Sequence, residues 1–250
     1  MFNDKRAARN LKLDMIGDET LEYYEEIARR LETWCAKNCR RYPWRETNNP
    51  YIILITEFLL QRTKADTVVK VFDYMFSKYK TVQELALAKE EDLRSFFDRL
   101  GLVYRSERVL ETAKEIVEKY GGKIPCDMEK LLSLKGVGVY MASAVLNFGC
   151  NQPTPVVDKN VMRVMNRVFN VISEREARRV ISILYRYGDH RLIAYALIDL
   201  GALLCKETPQ CNICPLKDIC PKHPLRKNMW RMLRKVSRRG KVNLEEQPVK

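Results

Sequence analysis

Apolar residues recur three and four positions apart through most of this chain, beginning with Leu21-Glu22-Tyr23-Tyr24-Glu25-Glu26-Ile27-Ala28-Arg29-Arg30-Leu31. That spacing predicts helices that bury one face. It returns over residues 51–60, 67–79, 106–120, 139–148, 160–168, 174–187 and 193–203. Short connections rich in turn formers separate these stretches: Tyr42-Pro43-Trp44, Gly121-Gly122-Lys123-Ile124-Pro125 and Asn151-Gln152-Pro153. Strict alternation of the strand type is missing, so the expected fold class is all-α, without a repeat array or a low-complexity linker. Two ends break the pattern: residues 1–18, and the stretch after Cys220, which carries nine Lys or Arg between Lys222 and Lys241 and no acid.

Composition sharpens this picture only modestly. With 250 residues, 46% of them hydrophobic, the chain can bury a core as one large domain or two small interleaved ones. Lys and Arg number 45 against 32 Asp and Glu, a net charge of +13, which suits a partner dense in negative charge, either a nucleic acid or an anionic membrane surface. No apolar run reaches the roughly 18 residues of a membrane span, and MFNDKRAARNLKLD lacks the apolar core of a signal peptide. A soluble, cytoplasmic monomer is therefore expected, nucleoid-associated in a prokaryote and without a membrane partner.

Eight cysteines in a reducing compartment are poor material for disulfides, so their spacing is read first for metal. Four lie in one loop as Cys205-x5-Cys211-x2-Cys214-x5-Cys220. Thiolates in such a loop can wrap a [4Fe-4S] cubane, one cysteine per iron. Structural zinc is the rival, but its four-cysteine sites usually present two Cys-x-x-Cys knuckles, and here there is one; core cysteines without a metal are the third reading. Cys35, Cys39, Cys126 and Cys150 have no matching spacing and are expected to be small buried hydrophobes.

Leu134-Lys135-Gly136-Val137-Gly138-Val139 joins two helical segments through a tight glycine turn. Backbone amides at the start of the following helix would suit a phosphate, although an ordinary helix connection has the same appearance. Further on, Asp158 stands where a helix begins and reads by itself as an N-cap. Glu57 lies in the apolar segment 52–60, where burial would raise its pKa; a place on the helix's wet edge is the alternative.

Taken together, the hairpin LKGVGVYMASAVL, the segment VVDKNVMRVMNRVF and the trailing cysteine loop resemble the helix-hairpin-helix DNA glycosylase superfamily of endonuclease III and MutY. Tyr42-Pro43-Trp44-Arg45 and Thr56-Glu57-Phe58-Leu59-Leu60-Gln61-Arg62-Thr63 resemble its monofunctional branch, and the similarity covers roughly residues 20–220. One departure is the first cysteine gap, five residues where the family normally has six.

The resemblance implies two lobes with duplex DNA between them. A six-helix lobe would run over 42–152, with its helix-hairpin-helix at about 131–148. Residues 1–41 plus 153–221 would form an iron-sulfur lobe, with the [4Fe-4S] loop at 205–220, and a basic tail would follow over 222–250. The implied partner is double-stranded DNA with a mismatched or damaged base. The implied catalytic residues are Asp158, to stabilise the oxocarbenium-like sugar and guide water; Glu57, to protonate or anchor the base; and Tyr140, standing where bifunctional members carry a Schiff-base lysine. Arg62 matches the position that wedges into the vacated stack, with Gln61 beside it. Lys135, Gly136, Val137, Gly138 and Lys159 are expected at phosphates, with a monovalent cation at the hairpin as a further expected ligand. Trp44 and Tyr51 are assigned to packing.

Thymine or uracil opposite guanine is the expected substrate. The competing substrate is adenine opposite oxidised guanine. MutY carries a further C-terminal domain, whereas this sequence ends thirty residues after Cys220, and of MutY's paired tyrosines the second is lost in Gly101-Leu102-Val103-Tyr104-Arg105-Ser106. A catalytically idle DNA-binding module is the non-enzyme alternative.

Overall fold

The computed structural model describes residues 18–98 and 104–222; the turn at 101–103 and the basic tail beyond residue 222 lie outside the described residues. The elements run α1 (Asp18–Asn38), a 3-10 turn (Pro43–Arg45), α2 (Pro50–Leu60), α3 (Ala65–Lys78), α4 (Val82–Ala86), α5 (Glu90–Asp98), α6 (Tyr104–Tyr120), α7 (Met128–Leu132), α8 (Val139–Ala144), a π-helical turn (Val145–Gly149), α9 (Lys159–Phe169), α10 (Glu174–Leu184), α11 (His190–Leu203) and a short 3-10 turn (Cys211–Ile213). Among the described residues there is no strand, as the helical spacing predicts. No helix among them is long and apolar enough to cross a membrane.

Local chemistry explains the helices that frame the later site. The side chain of Asn49 accepts from the Tyr51 amide at 2.9 Å and Pro50 opens the first turn, so α2 begins where its orphan amides are satisfied. From Tyr51 to Leu59 every residue except the half-buried Ile52 is buried. Asp158 caps α9 by accepting from the Val161 amide at 2.7 Å, and Asn170 ends that helix in a left-handed conformation (φ 57°). Around α2 pack α3, α6, α8 and the π turn; separately, α1 packs on α10 and α11, and α9 on α10 and α11.

Three short helices, α4, α5 and α7, go beyond the periodic segments. Each has few turns, yet α4 and α7 carry visible caps in Thr81 and Asp127, and α5 buries Leu93, Phe96 and Phe97 at helical spacing. The segment expected as one helix over 139–148 instead changes from α to π at Val145. There the backbone comes so close to α2 that a Cβ on Gly149 would stand 2.7 Å from the Pro50 Cα, which only glycine tolerates.

The reading of four cysteines as unpaired buried hydrophobes is overturned. Cys35 is bonded to Cys39 and Cys126 to Cys150, with S–S distances of 2.05 and 2.03 Å. Cys35 and Cys39 lie one turn apart at the end of α1, with Cα atoms 4.5 Å apart. The other pair is 24 residues apart in sequence, and the fold brings its Cα atoms to 5.7 Å, a span a disulfide bridges without strain on the backbone. Spacing could not reveal that pair, because only the folded course of α7 and α8 brings its ends together.

Candidate active site and cysteine loop

Glu57, Tyr140 and Asp158, on α2, α8 and the start of α9, line one cavity of about 320 Å³. Its walls also include Trp44, Arg45, Thr56, Phe148, Asn160 and Tyr195. Glu57, Leu60, Tyr140 and Asp158 are shared with a more open cavity of about 480 Å³, to which Gln61, Gly138, Met141 and Lys159 contribute. The three residues expected to do chemistry thus meet where an inner pocket joins an outer mouth, and three of the residues expected to touch DNA stand at that mouth.

Glu57 is 9% exposed, and its pKa is pushed up to about 7 by burial first and by the charge of Asp158 second, against the pull of Arg45. This agrees with the expectation that the apolar helix raises it. The Tyr140 phenol is driven well above its ordinary pKa by burial and by the two carboxylates, and so stays protonated. Asp158 uses Oδ1 to cap α9 and Oδ2 to accept from Asn160 at 3.2 Å. Asn160 Oδ1 in turn accepts from Arg163 at 2.7 Å, and Arg163 donates to the Cys205 carbonyl at 2.6 Å. Hydrogen bonds therefore run from the aspartate to the first cysteine of the loop.

Arg45, inside the cavity, escaped the sequence reading. It donates to Asp199 at 2.8 and 2.9 Å, beside Arg40. Asp199 is fully buried; burial alone would raise its pKa, but Arg45 and Arg40 hold it below the ordinary value. Two arginines on one aspartate leave local positive charge beside Glu57. Asp199 is a lone acid in an apolar helix, the same kind of signal as Glu57, but nothing local to it names Arg45 and Arg40 as its partners. Trp44, assigned to packing, is buried and also lines the cavity; Tyr51 is buried with its hydroxyl on the Tyr79 carbonyl at 2.7 Å.

Arg62 follows α2 as an exposed residue with φ 56°, a conformation that projects a non-glycine side chain only when the surrounding turn demands it. The hairpin differs in detail from expectation. Gly136 has φ 79°, and a Cβ there would press on the Phe58 ring at 3.2 Å, whereas Gly138 has open space around it and ordinary extended backbone. Lys135 and Val137 use their amides inside the protein, on Glu115 at 2.9 Å and the Leu134 carbonyl at 3.2 Å, and the Lys135 ammonium pairs with Glu111 at 2.7 Å. These two amides are engaged within the protein. The Lys135 carbonyl accepts from Thr112 at 2.6 Å.

The side chains of Cys205, Cys211, Cys214 and Cys220 line a cavity of about 520 Å³, walled by Val164, Leu200, Leu204 and Leu216 and by Arg167, which donates to Cys205 Sγ at 3.3 Å. Among the described residues no three His, Cys, Asp or Glu side chains converge as ligands of one metal ion.

Among the described residues, the site is built of helices, with a glycine hairpin at its mouth and two carboxylates in a shared cavity. Residues 55–186 match the pattern of the HhH-GPD superfamily base excision DNA repair proteins. A thymine-DNA glycosylase of Aeropyrum pernix is 36% identical over 78% of this chain and 93% of its own. An adenine DNA glycosylase of Mycobacterium tuberculosis is 34% identical over 74% of this chain and 64% of its own. A solved thermostable thymine-DNA glycosylase superposes with a TM-score of 0.78 at 30% identity, over 82% of this chain and 99% of that one. The chain belongs to the HhH-GPD superfamily.

Proposed function

We propose that this protein is a monofunctional DNA glycosylase that turns thymine or uracil out of a mispair with guanine and hydrolyses its N-glycosidic bond. The observation that carries this is the meeting of Glu57, Tyr140 and Asp158 at one cavity. Breaking the bond leaves positive charge at C1′ and negative charge on the base. Asp158 supplies the carboxylate for the sugar and directs water to it; Glu57, near half-protonated at neutral pH, supplies the proton for the base. Tyr140 shapes the pocket. Similarity to the thymine-DNA glycosylase at 36% identity and superposition on a solved thymine-DNA glycosylase with a TM-score of 0.78 favour the pyrimidine substrate. The adenine reading stays as the second choice because the two identities are nearly equal, at 36% and 34%.

Duplex DNA would lie across the mouth. Arg62, aided by Gln61, fills the vacated stack, Lys159 and the Gly136–Gly138 turn take phosphates, and Lys135 reaches one only after releasing Glu111. Residues 42–152 would act as one lobe, and 1–41 with 153–221 as the other.

A phenol cannot form the Schiff base that strand cleavage needs. Base release should therefore leave the strand intact until alkali or heat is applied, as gel assays of a G·T duplex will read; efficient borohydride trapping of enzyme on DNA would contradict the monofunctional assignment.

We assign a [4Fe-4S] cluster to Cys205, Cys211, Cys214 and Cys220, in the cavity they line. When bound it would tie the loop into one rigid unit beside Arg167. Anaerobically purified protein should be brown and hold about four irons per chain; active, colourless protein with stoichiometric zinc would overturn the assignment.

A further inference from the structure

Residues 151–157 lead from the π turn towards α9 in an irregular, helix-free course and deliver Asp158 to the cavity. Pro153 and Pro155 have no N–H to give and favour extended backbone around them, so this strap cannot close its carbonyls into a helix of its own. Side chains meet them instead, as buried backbone requires. Asn147 donates to the Thr154 carbonyl at 2.9 Å. Arg178 donates from one nitrogen to the Pro155 carbonyl at 2.7 Å and to Ser143 Oγ at 3.1 Å. The Tyr185 hydroxyl accepts from Asn147 at 3.4 Å and from the Val156 backbone amide. Glu174 steadies the Arg178 guanidinium from its other edge, accepting at 2.7 and 2.9 Å.

The grip comes from two sides. Ser143 on α8 and Asn147 in the π turn are fully buried, whereas Arg178 lies on α10 and Tyr185 at its end. Asn147 stands where the Cys150 amide bonds the Val145 carbonyl five residues back, and such π turns recur at functional positions. Tyr140 precedes Ser143 by three residues on α8 and so shares its face. The strap is therefore tied to the helix that presents Tyr140 just before it presents Asp158. The bond from the Val161 amide fixes the Asp158 carboxylate relative to α9 alone; where that carboxylate stands against Tyr140 and Glu57 depends on how the strap is held.

We infer that Asn147, Arg178 and Tyr185 are positioning residues for base release: they clamp the strap so that Asp158 faces the cavity where the reaction needs it. This rests on the reading of Asp158 as the carboxylate that acts on the sugar. None of the three lines the cavity itself, so their contribution passes through the backbone that carries Asp158. A reacting group displaced by about 1 Å loses rate by on the order of a hundredfold.

The test uses the full chain with Asn147→Leu, Arg178→Met and Arg178→Lys, and with Asp158→Asn beside them. Single-turnover base release from a G·T duplex is measured with enzyme in excess, together with affinity for matched duplex and melting temperature. Asn147→Leu and Arg178→Met should each release base more slowly by roughly tenfold to a hundredfold while binding matched duplex as the parent does. Arg178→Lys keeps a donor for the Pro155 carbonyl and should recover part of the loss. A grip that serves folding alone would lower the melting temperature and leave the rate of the folded protein as it was. Rates within about twofold of the parent in both variants, too small a change for a displaced carboxylate, or a loss of duplex affinity equal to the loss of rate, would overturn the positioning role by itself. If the parent releases no thymine, or Asp158→Asn releases it at the parent's rate, the functional reading fails instead and takes this inference with it.

Discussion

Asp158→Asn should slow base release by roughly a thousandfold or more, on the order of ~4 kcal/mol at the transition state, while duplex affinity and melting temperature stay near the parent's. The fold should survive because asparagine caps helices about as well as aspartate, and the bond from the Val161 amide to the side-chain oxygen can persist. What disappears is the negative charge that Asp158 is proposed to offer the sugar. The same substitution removes one of the two influences that raise the Glu57 pKa, so the alkaline limb of any residual activity should move to lower pH. Single-turnover assays on a G·T duplex check the rate; a variant within tenfold of the parent would remove Asp158 from the chemistry.

Glu57→Gln should make the protein more stable at neutral pH and far less active. Burial raises this carboxyl from 4.5 to about 7, so the folded chain retains a proton that the unfolded chain gives up between those values. That contribution is complete below pH 4.5 and declines as pH rises towards 7, above which the folded protein carries a charged, desolvated carboxylate. Glutamine has no such loss. The stability advantage of the variant should grow over this window by roughly 3 kcal/mol. In the parent, base release should fall as pH rises through about 7, because the proton donor is spent; the variant should show a low rate without that limb. Denaturation and rate profiles from pH 5 to 8 read both effects together. A parent whose rate is flat across neutrality would exclude Glu57 as the acid.

Helix class and the main helical segments were legible because α2, α9 and α11 combine apolar spacing with visible caps at Asn49, Asp158 and Asp189. Glu57 was legible because a single acid in an apolar helix has few explanations. Less could be read where geometry depends on distant chain. Arg45 and Asp199 are 154 residues apart, and neither position carries a local signal for the pair. The switch from α to π at Val145 has no marker beyond Gly149, yet it helps set Phe148 against Tyr195. The glycine turn looked symmetrical in sequence; only backbone angles separate Gly136, which needs its freedom, from Gly138, which does not.

The bond between Cys126 and Cys150 closes a covalent ring around α7, the glycine turn, α8 and the whole π turn. A ring of this size restricts the unfolded chain by roughly 3 kcal/mol in the chain-entropy picture. Its topological effect is more direct. A peptide bond cut anywhere inside the ring leaves the two halves of the molecule joined, so damage at this element need not release a fragment while the sulfurs remain oxidised. The turn assigned to the DNA backbone is then also the segment whose ends cannot drift apart, and its persistence in the cell is governed by the surrounding thiol balance as well as by packing.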